Sequence, residues 1–115
     1  MHELAIVEAL LEQVGRELHR ARQTGRVKRL ELTVGRLSGV HCPSLRFAFE
    51  LLAPGTSVEG AALEIHEPRA VCACRGCGRR QEIDELVIQC PACGSPEIAI
   101  EEGRELMLQS IEVED

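Results

Sequence analysis

Aromatic side chains are nearly missing from this chain: it has two Phe, and neither Tyr nor Trp, in 115 residues. The core must therefore be aliphatic. A base-stacking surface, which single-stranded nucleic-acid binders use, has almost nothing to be built from. Positive charge is also in deficit. The formal net charge is −6, whereas nucleic-acid affinity comes from a cationic face that displaces counterions, so a nucleic-acid role is disfavoured. No uninterrupted apolar run approaches the roughly 20 residues that span a bilayer, and no membrane role is expected. The opening MHELAIVEALLEQV lacks the basic n-region of a secretory leader and carries Glu3, Glu8 and Glu12 inside its apolar stretch. The expected compartment is the reducing cytoplasm, where clustered cysteines bind metal more often than they form disulfides. Catalytic signatures are missing too: there is no Walker loop and no Ser-His-Asp order. The chain reads as a non-enzyme.

An apolar fraction of 44% with 28% charged residues is ordinary for a globular domain, and the length allows one domain or one domain with a small appendage. Residues 3 to about 21 predict an amphipathic helix. Leu4, Val7, Leu11, Val14 and Leu18 recur at spacings of three and four on one face, with Glu8, Glu12, Arg16 and His19 opposite and Gly25 placed to close the segment. In VKRLELTVG, Leu30, Leu32 and Val34 alternate with polar residues, the two-residue period of a half-buried strand. A loop at 35–39 leads to Pro43, suited to the first turn of a second helix at about 43–53 that buries Leu45, Ala48, Phe49 and Leu52. A second strand is expected at about 61–67, and the tail from Arg104 to Val113 returns to strand character. There the apolar phase shifts from Leu106 and Leu108 to Ile111 and Val113, which predicts a bulge or bend. The expected architecture is α+β: two helices packed on a three-stranded mixed sheet, formed by residues 1–68 and 104–115, with a zinc-ribbon-like four-cysteine module inserted at 69–103.

Cys74-Arg-Gly-Cys77-Gly and Cys90-Pro-Ala-Cys93-Gly are two knuckles separated by twelve residues. Each C-x-x-C turn offers two thiolates to one ion, and the following Gly permits the positive φ at which the chain turns away. Two such turns complete the sulfur tetrahedron that structural zinc takes; iron in a rubredoxin-like site is the alternative metal. Two disulfides would need an oxidising compartment, and a redox C-x-x-C normally has no matching second pair. Cys72 falls outside this symmetry and reads as a spare thiol. Cys42 reads as a half-buried loop residue.

The start, Met1-His2-Glu3, is the second candidate metal site. A histidine at position 2 can offer its imidazole, its own backbone nitrogen and the terminal amine to one ion. The fused chelate rings suit square-planar Ni(II) or Cu(II). The large His2 side chain is expected to leave the initiator Met in place. The competing reading is a disordered polar terminus.

Taken together, these segments resemble the HypA/HybF family, nickel metallochaperones of [NiFe]-hydrogenase maturation. The resemblance runs through MHEL at 1–4, VGRLSGV at 34–40, LRFAFE at 45–50, Gly60, Ala61 and Leu63, both cysteine knuckles, GREL at 103–106 and SIEV at 110–113. It implies a nickel domain of two helices on a three-stranded sheet and a zinc domain on an extension. It implies nickel held by His2 and by backbone nitrogens at Met1, His2 and Glu3. It further implies cooperation with the nickel GTPase HypB, and delivery to the hydrogenase large subunit or, in some relatives, to urease. Relatives often carry an acidic residue at the position of His41. A neutral imidazole there is a competent nitrogen donor, so His41 joins the candidate nickel ligands; a solvated loop histidine is the competing reading. His19 and His66 fall on polar faces and are expected to be solvated. Exchange of the cysteine module between two chains would give a homodimer. Between Arg69 and Glu101 four Arg face five acidic residues, so the module has no basic excess with which to bind nucleic acid.

Overall fold

The computed structural model describes residues 2–114. The first helix, α1, spans Glu3–Arg20 and buries Val7, Leu10, Val14 and Leu18. Leu4 is instead exposed and Leu11 only half-buried. Leu10 and Leu11 are adjacent on a helix that turns about 100° per residue, so the sequence offers two overlapping apolar stripes that share Val7, Val14 and Leu18. Packing selects the one containing Leu10.

The helix also stops before Gly25. Arg22 takes the left-handed conformation, at φ 57°. The Gln23 N–H donates to the Leu18 carbonyl at 2.9 Å and the Arg22 N–H to the His19 carbonyl at 3.1 Å. This is the Schellman pattern, which satisfies the orphan carbonyls of the last turn, with Arg where glycine is usual.

The strand β1, Val27–Val34, buries Val27, Leu30, Leu32 and Val34. α2, Cys42–Leu52, packs against α1 and buries Cys42, Leu45, Ala48 and Phe49. Cys42 is thus the first residue of a helix and part of the core, not a loop residue, and Leu52 is only half-buried. β2 is Ala62–His66. Three further strands follow: β3, Ala70–Cys74; β4, Arg80–Ile83; and β5, Ile98–Glu101. β6, Leu106–Val113, closes the chain.

One sheet has the order β2-β1-β6 and the other β4-β3-β5. In the first, Arg26 pairs with Glu114 at one end of β1 and Gly35 with Glu105 at the other, so β6 runs antiparallel to β1. Val27 bonds Ser57 and Arg36 bonds Pro68, in the same sequence direction, so β2 runs parallel to β1 after its α2 crossover. The sheet is mixed, as expected. In β6 the half-buried positions are Leu108, Ile111 and Val113; the step of three breaks the two-residue period where the phase shift occurs. The fold is α+β with a four-cysteine module. The expectation missed the second, wholly antiparallel sheet of that module, because its strands are only four or five residues long.

Contacts divide the chain into two compact units. One contains α1, β1 as far as Leu32, Val40–Ile65 and the chain from Met107 onward; the other contains Thr33–Gly39 and His66–Leu106. Because a left-handed non-glycine residue costs roughly 1 kcal/mol, exposed Arg22 is a place where stability can be gained. Arg22→Gly is expected to stabilise the protein by about 0.5–1 kcal/mol in urea denaturation. A loss of stability would show that the Arg side chain makes a contact outweighing its backbone strain.

Candidate metal centre

Cys74 is the last residue of β3, and Cys77 lies in the turn that leads to β4; Cys90 and Cys93 lie in the loop that precedes β5. The two knuckles are built alike. The Cys74 N–H donates to the Arg79 carbonyl at 2.9 Å and the Cys90 N–H to the Ser95 carbonyl at 2.8 Å. The Gly78 N–H closes back on the Cys74 carbonyl at 3.0 Å, and the Gly94 N–H on the Cys90 carbonyl at 2.8 Å. Gly78 and Gly94 have φ of 75° and 78°, so the glycine after each second cysteine does what its position requires.

The sulfurs interleave between knuckles. Cys74 Sγ lies 3.6 Å from Cys93 Sγ, and Cys77 Sγ lies 3.8 Å from Cys90 Sγ. All four lie within 4.8 Å of one another. A tetrahedral ion bonded to sulfur at about 2.3 Å would separate its ligands by about 3.8 Å, which these distances match. A disulfide needs about 2.05 Å, and all six cysteines are free. The geometry therefore fits one closed, four-sulfur metal site, with Cys74 and Cys90 buried and Cys77 and Cys93 exposed.

Backbone amides point at the sulfurs, as thiolates require. Cys77 N–H donates to Cys74 Sγ and Ala92 N–H to Cys90 Sγ, each at 3.4 Å. The Cys90 thiol is lowered to about 6, first by the Cys93 backbone N–H and then, against burial, by that of Ala92. The Cys74 thiol is lowered chiefly by the Cys77 backbone N–H. On Cys93 the Ser95 backbone N–H favours the thiolate, but the sulfurs of Cys74, Cys90 and Cys77 together with burial push the thiol up to about 12. Four thiols this close cannot all ionise independently. A divalent cation at the centre resolves that conflict.

Cys72 stands outside the four-sulfur group, as its place outside the knuckle symmetry predicts. It is fully buried in a cluster with Ala70 and Ile83, against which Leu37, Val87, Ile98 and Ile100 pack. Burial pushes its thiol up, so it behaves as a small apolar side chain. Its two-residue spacing from Cys74, within a strand, could have placed it on the same face of β3.

The second candidate group lies at the start of α1. Met1 falls outside the described residues. His2 is the exposed N-cap of α1 and makes no side-chain cap bond. Glu3 reaches the segment that precedes α2: its Oε2 accepts the His41 backbone N–H at 3.1 Å. That bond is the first cause holding the Glu3 carboxyl below its usual range, followed by a hydrogen bond from its own backbone amide. His41 is itself the N-cap of α2. Its Nδ1 accepts the Ser44 N–H at 3.3 Å and lies 2.6 Å from Ser44 Oγ. A histidine N-cap bonded to Ser44 carries no sequence signal, since N-caps are usually Ser, Thr, Asp or Asn. Glu3 and His41, 38 residues apart, are thereby brought together. His19 and His66 are exposed.

The fold and the sulfur geometry define a small α+β metal-binding protein whose four-thiolate site lies in its own antiparallel sheet module. Residues 1–113 match the family described as hydrogenase/urease nickel incorporation, metallochaperone, hypA. The hydrogenase maturation factor HypA of Chlorobium limicola is 40% identical over 115 residues, covering 100% of this chain and 98% of that relative. The HypA of Syntrophus aciditrophicus is 41% identical over 117 residues (99% and 100% covered), and that of the archaeon Methanocaldococcus jannaschii 33% over 121 (99% and 98%). The chain belongs to the HypA family of nickel metallochaperones. The solution structure of the Ni metallochaperone HypA from Helicobacter pylori shares the fold, with a TM-score of 0.67 at 24% identity over 98% of this chain and 97% of that one.

A closed site loses its tetrahedron with any one ligand. Cys90→Ser is expected to bring bound metal in the purified protein from one equivalent per chain to near zero, with loss of the module's strand signal in circular dichroism. Full retention of metal by this variant would remove Cys90 from the ligand set.

Proposed function

We propose that this protein is a nickel carrier for [NiFe]-hydrogenase maturation, with urease as a second destination where that enzyme is present. Nickel is taken by the terminal amine of Met1, the backbone nitrogens of His2 and Glu3, and the His2 imidazole, with His41 as a further nitrogen donor. Zinc occupies Cys74, Cys77, Cys90 and Cys93 and is structural. Residues 1–68 and 104–115 form the nickel-binding part and residues 69–103 the zinc-binding part. The partners are the nickel GTPase HypB and the hydrogenase large subunit, reached in the cytoplasm, with a homodimer formed by exchange of the cysteine module. The protein carries and releases; it catalyses nothing.

The observation that carries this reading is the bond from His41 N–H to Glu3 at the exposed start of α1, in a chain matched to the nickel-incorporation family along nearly its whole length. The first amides of a helix have no intrahelical acceptor, so a metal that displaces the protons of the His2 and Glu3 amides breaks no helical hydrogen bond. The Glu3 carboxylate lies in the first turn, where negative charge is favoured, and it offsets part of the repulsion a cation meets at that end. Amine, amide and imidazole nitrogens suit square-planar Ni(II). An exposed site lets the ion leave.

To bind nickel through Nε2, His41 must change tautomer. As an N-cap it accepts at Nδ1, which places its proton on Nε2. As a nickel donor through Nε2 it must carry the proton on Nδ1 and donate it to Ser44 Oγ, already 2.6 Å away. The same side chain therefore serves either the cap or the metal.

His2→Ala is expected to abolish stoichiometric nickel binding in calorimetric titration and to leave zinc content and the melting curve unchanged. Nickel binding at parental affinity in that variant would refute the N-terminal assignment.

A further inference from the structure

The sheet β2-β1-β6 has two edges, and they are finished differently. β2 is five residues long, and Arg46 of α2 donates to its Leu63 carbonyl at 2.6 Å. Short strands and cations are usual means of closing a sheet edge to other chains. β6 is eight residues long. Between 107 and 113 it carries no Lys, Arg or Pro, and among the described residues no turn, loop or cap bonds its main chain there. Glu114, next in the chain, turns its N–H to the Arg26 carbonyl at 2.9 Å. Main-chain direction alternates along an antiparallel strand, so Val113 and Ile111 present their N–H and C=O groups away from β1. Leu108 is half-buried as they are. That places it on their face across the step of three, and so gives its main chain the same direction.

Beside that edge lies a groove of about 770 Å³ between the second half of α1 and β6, with Leu18 on one wall and Leu108, Ile111 and Val113 on the other. Its charged lining side chains are Glu17 and Glu114. Arg20 Nη1 lies 3.3 Å from Glu17 Oε1, but both side chains are exposed, and such pairs contribute little. We propose that this edge takes up an extended, cationic segment of another protein by strand addition, as a fourth strand of the sheet. The outward main-chain groups of Ile111 and Val113 need an extended backbone as their partner. The apolar wall takes the alternate side chains of that segment, and the two carboxylates call for a Lys or Arg beside them. A second copy of this chain is the poorer occupant, since it brings the same acidic groove and a net charge of −6. Glu17 stands about 21 Å along α1 from Glu3 at 1.5 Å per residue, so a segment seated here leaves the start of that helix open.

The inference stands apart from the nickel reading, and its test uses the full-length, zinc-loaded protein. The probe is a short capped peptide in which valine and threonine alternate between terminal lysines. A second probe has glutamate in place of lysine, and a third is the lysine probe N-methylated at its valines. Binding is followed by fluorescence anisotropy and by amide NMR. The lysine probe is expected to bind, to shift the Leu108, Ile111 and Val113 amides, and to slow their hydrogen exchange. The glutamate probe is expected to bind about tenfold more weakly. The N-methylated probe should lose about tenfold or more, since each missing hydrogen bond is worth about fivefold. Ile111→Pro removes one outward N–H at an edge position, where proline is tolerated; it should weaken the lysine probe about fivefold and leave zinc and nickel binding unchanged. Should that variant fail to fold, the N-methylated probe decides. No binding of the lysine probe at millimolar concentration, or equal binding of its N-methylated form, overturns strand addition. Equal binding of the glutamate probe overturns the cationic occupant. A parent dimer in sedimentation, with the Ile111 and Val113 amides already protected from exchange, assigns the edge to a second copy and overturns the proposal as well.

Discussion

Four sulfur atoms held within 4.8 Å of one another are the constraint on which the cysteine-bearing half of this protein depends. Its strands are four or five residues long, and its buried cluster contains Ala70, Cys72 and Ile83. An apolar core that small does not offset the conformational entropy of some 40 ordered residues. What closes the gap is the attraction of a divalent cation for thiolates that would otherwise repel one another. The knuckle backbones are arranged for it, with amides aimed at sulfur before any ion is considered.

The nickel site proposed at the start of α1 follows the opposite principle. All its proposed donors but His41 belong to residues 1–3, and the Glu3 to His41 bond ties that end of α1 to the N-terminus of α2. A closed tetrahedron of soft ligands retains its ion, whereas an open set of borderline nitrogens at a helix end can pass its ion on. A carrier needs both kinds of site, one to stay folded and one to let go.

Much of this was legible in the sequence, and the failures have identifiable causes. The knuckles were readable because C-x-x-C-G encodes a turn, a ligand pair and a positive φ in five residues. β1 was readable because Leu30, Leu32 and Val34 alternate without ambiguity. The apolar face of α1 was misread because Leu10 and Leu11 are neighbours, and only packing chooses between two stripes. Gly25 points to a helix stop because glycine is the usual left-handed residue, yet Arg22 adopts that conformation with two closing hydrogen bonds. Cys72 is spare as a ligand, but its burial was not legible, because it depends on a sheet whose strands carry little pattern. His41 as an N-cap, the Glu3 contact and the grip of Asp84 on Arg36 and Arg69 all join residues distant in sequence, and no local pattern encodes them.

The central claim is a division of labour, with sulfur retaining one metal and nitrogen carrying the other. Nickel K-edge X-ray absorption on protein loaded with one zinc and one nickel per chain tests it most directly. The account requires a nickel shell of nitrogen and oxygen only, with the outer-shell scattering of imidazole. Sulfur in that shell would place nickel on the cysteines and contradict it.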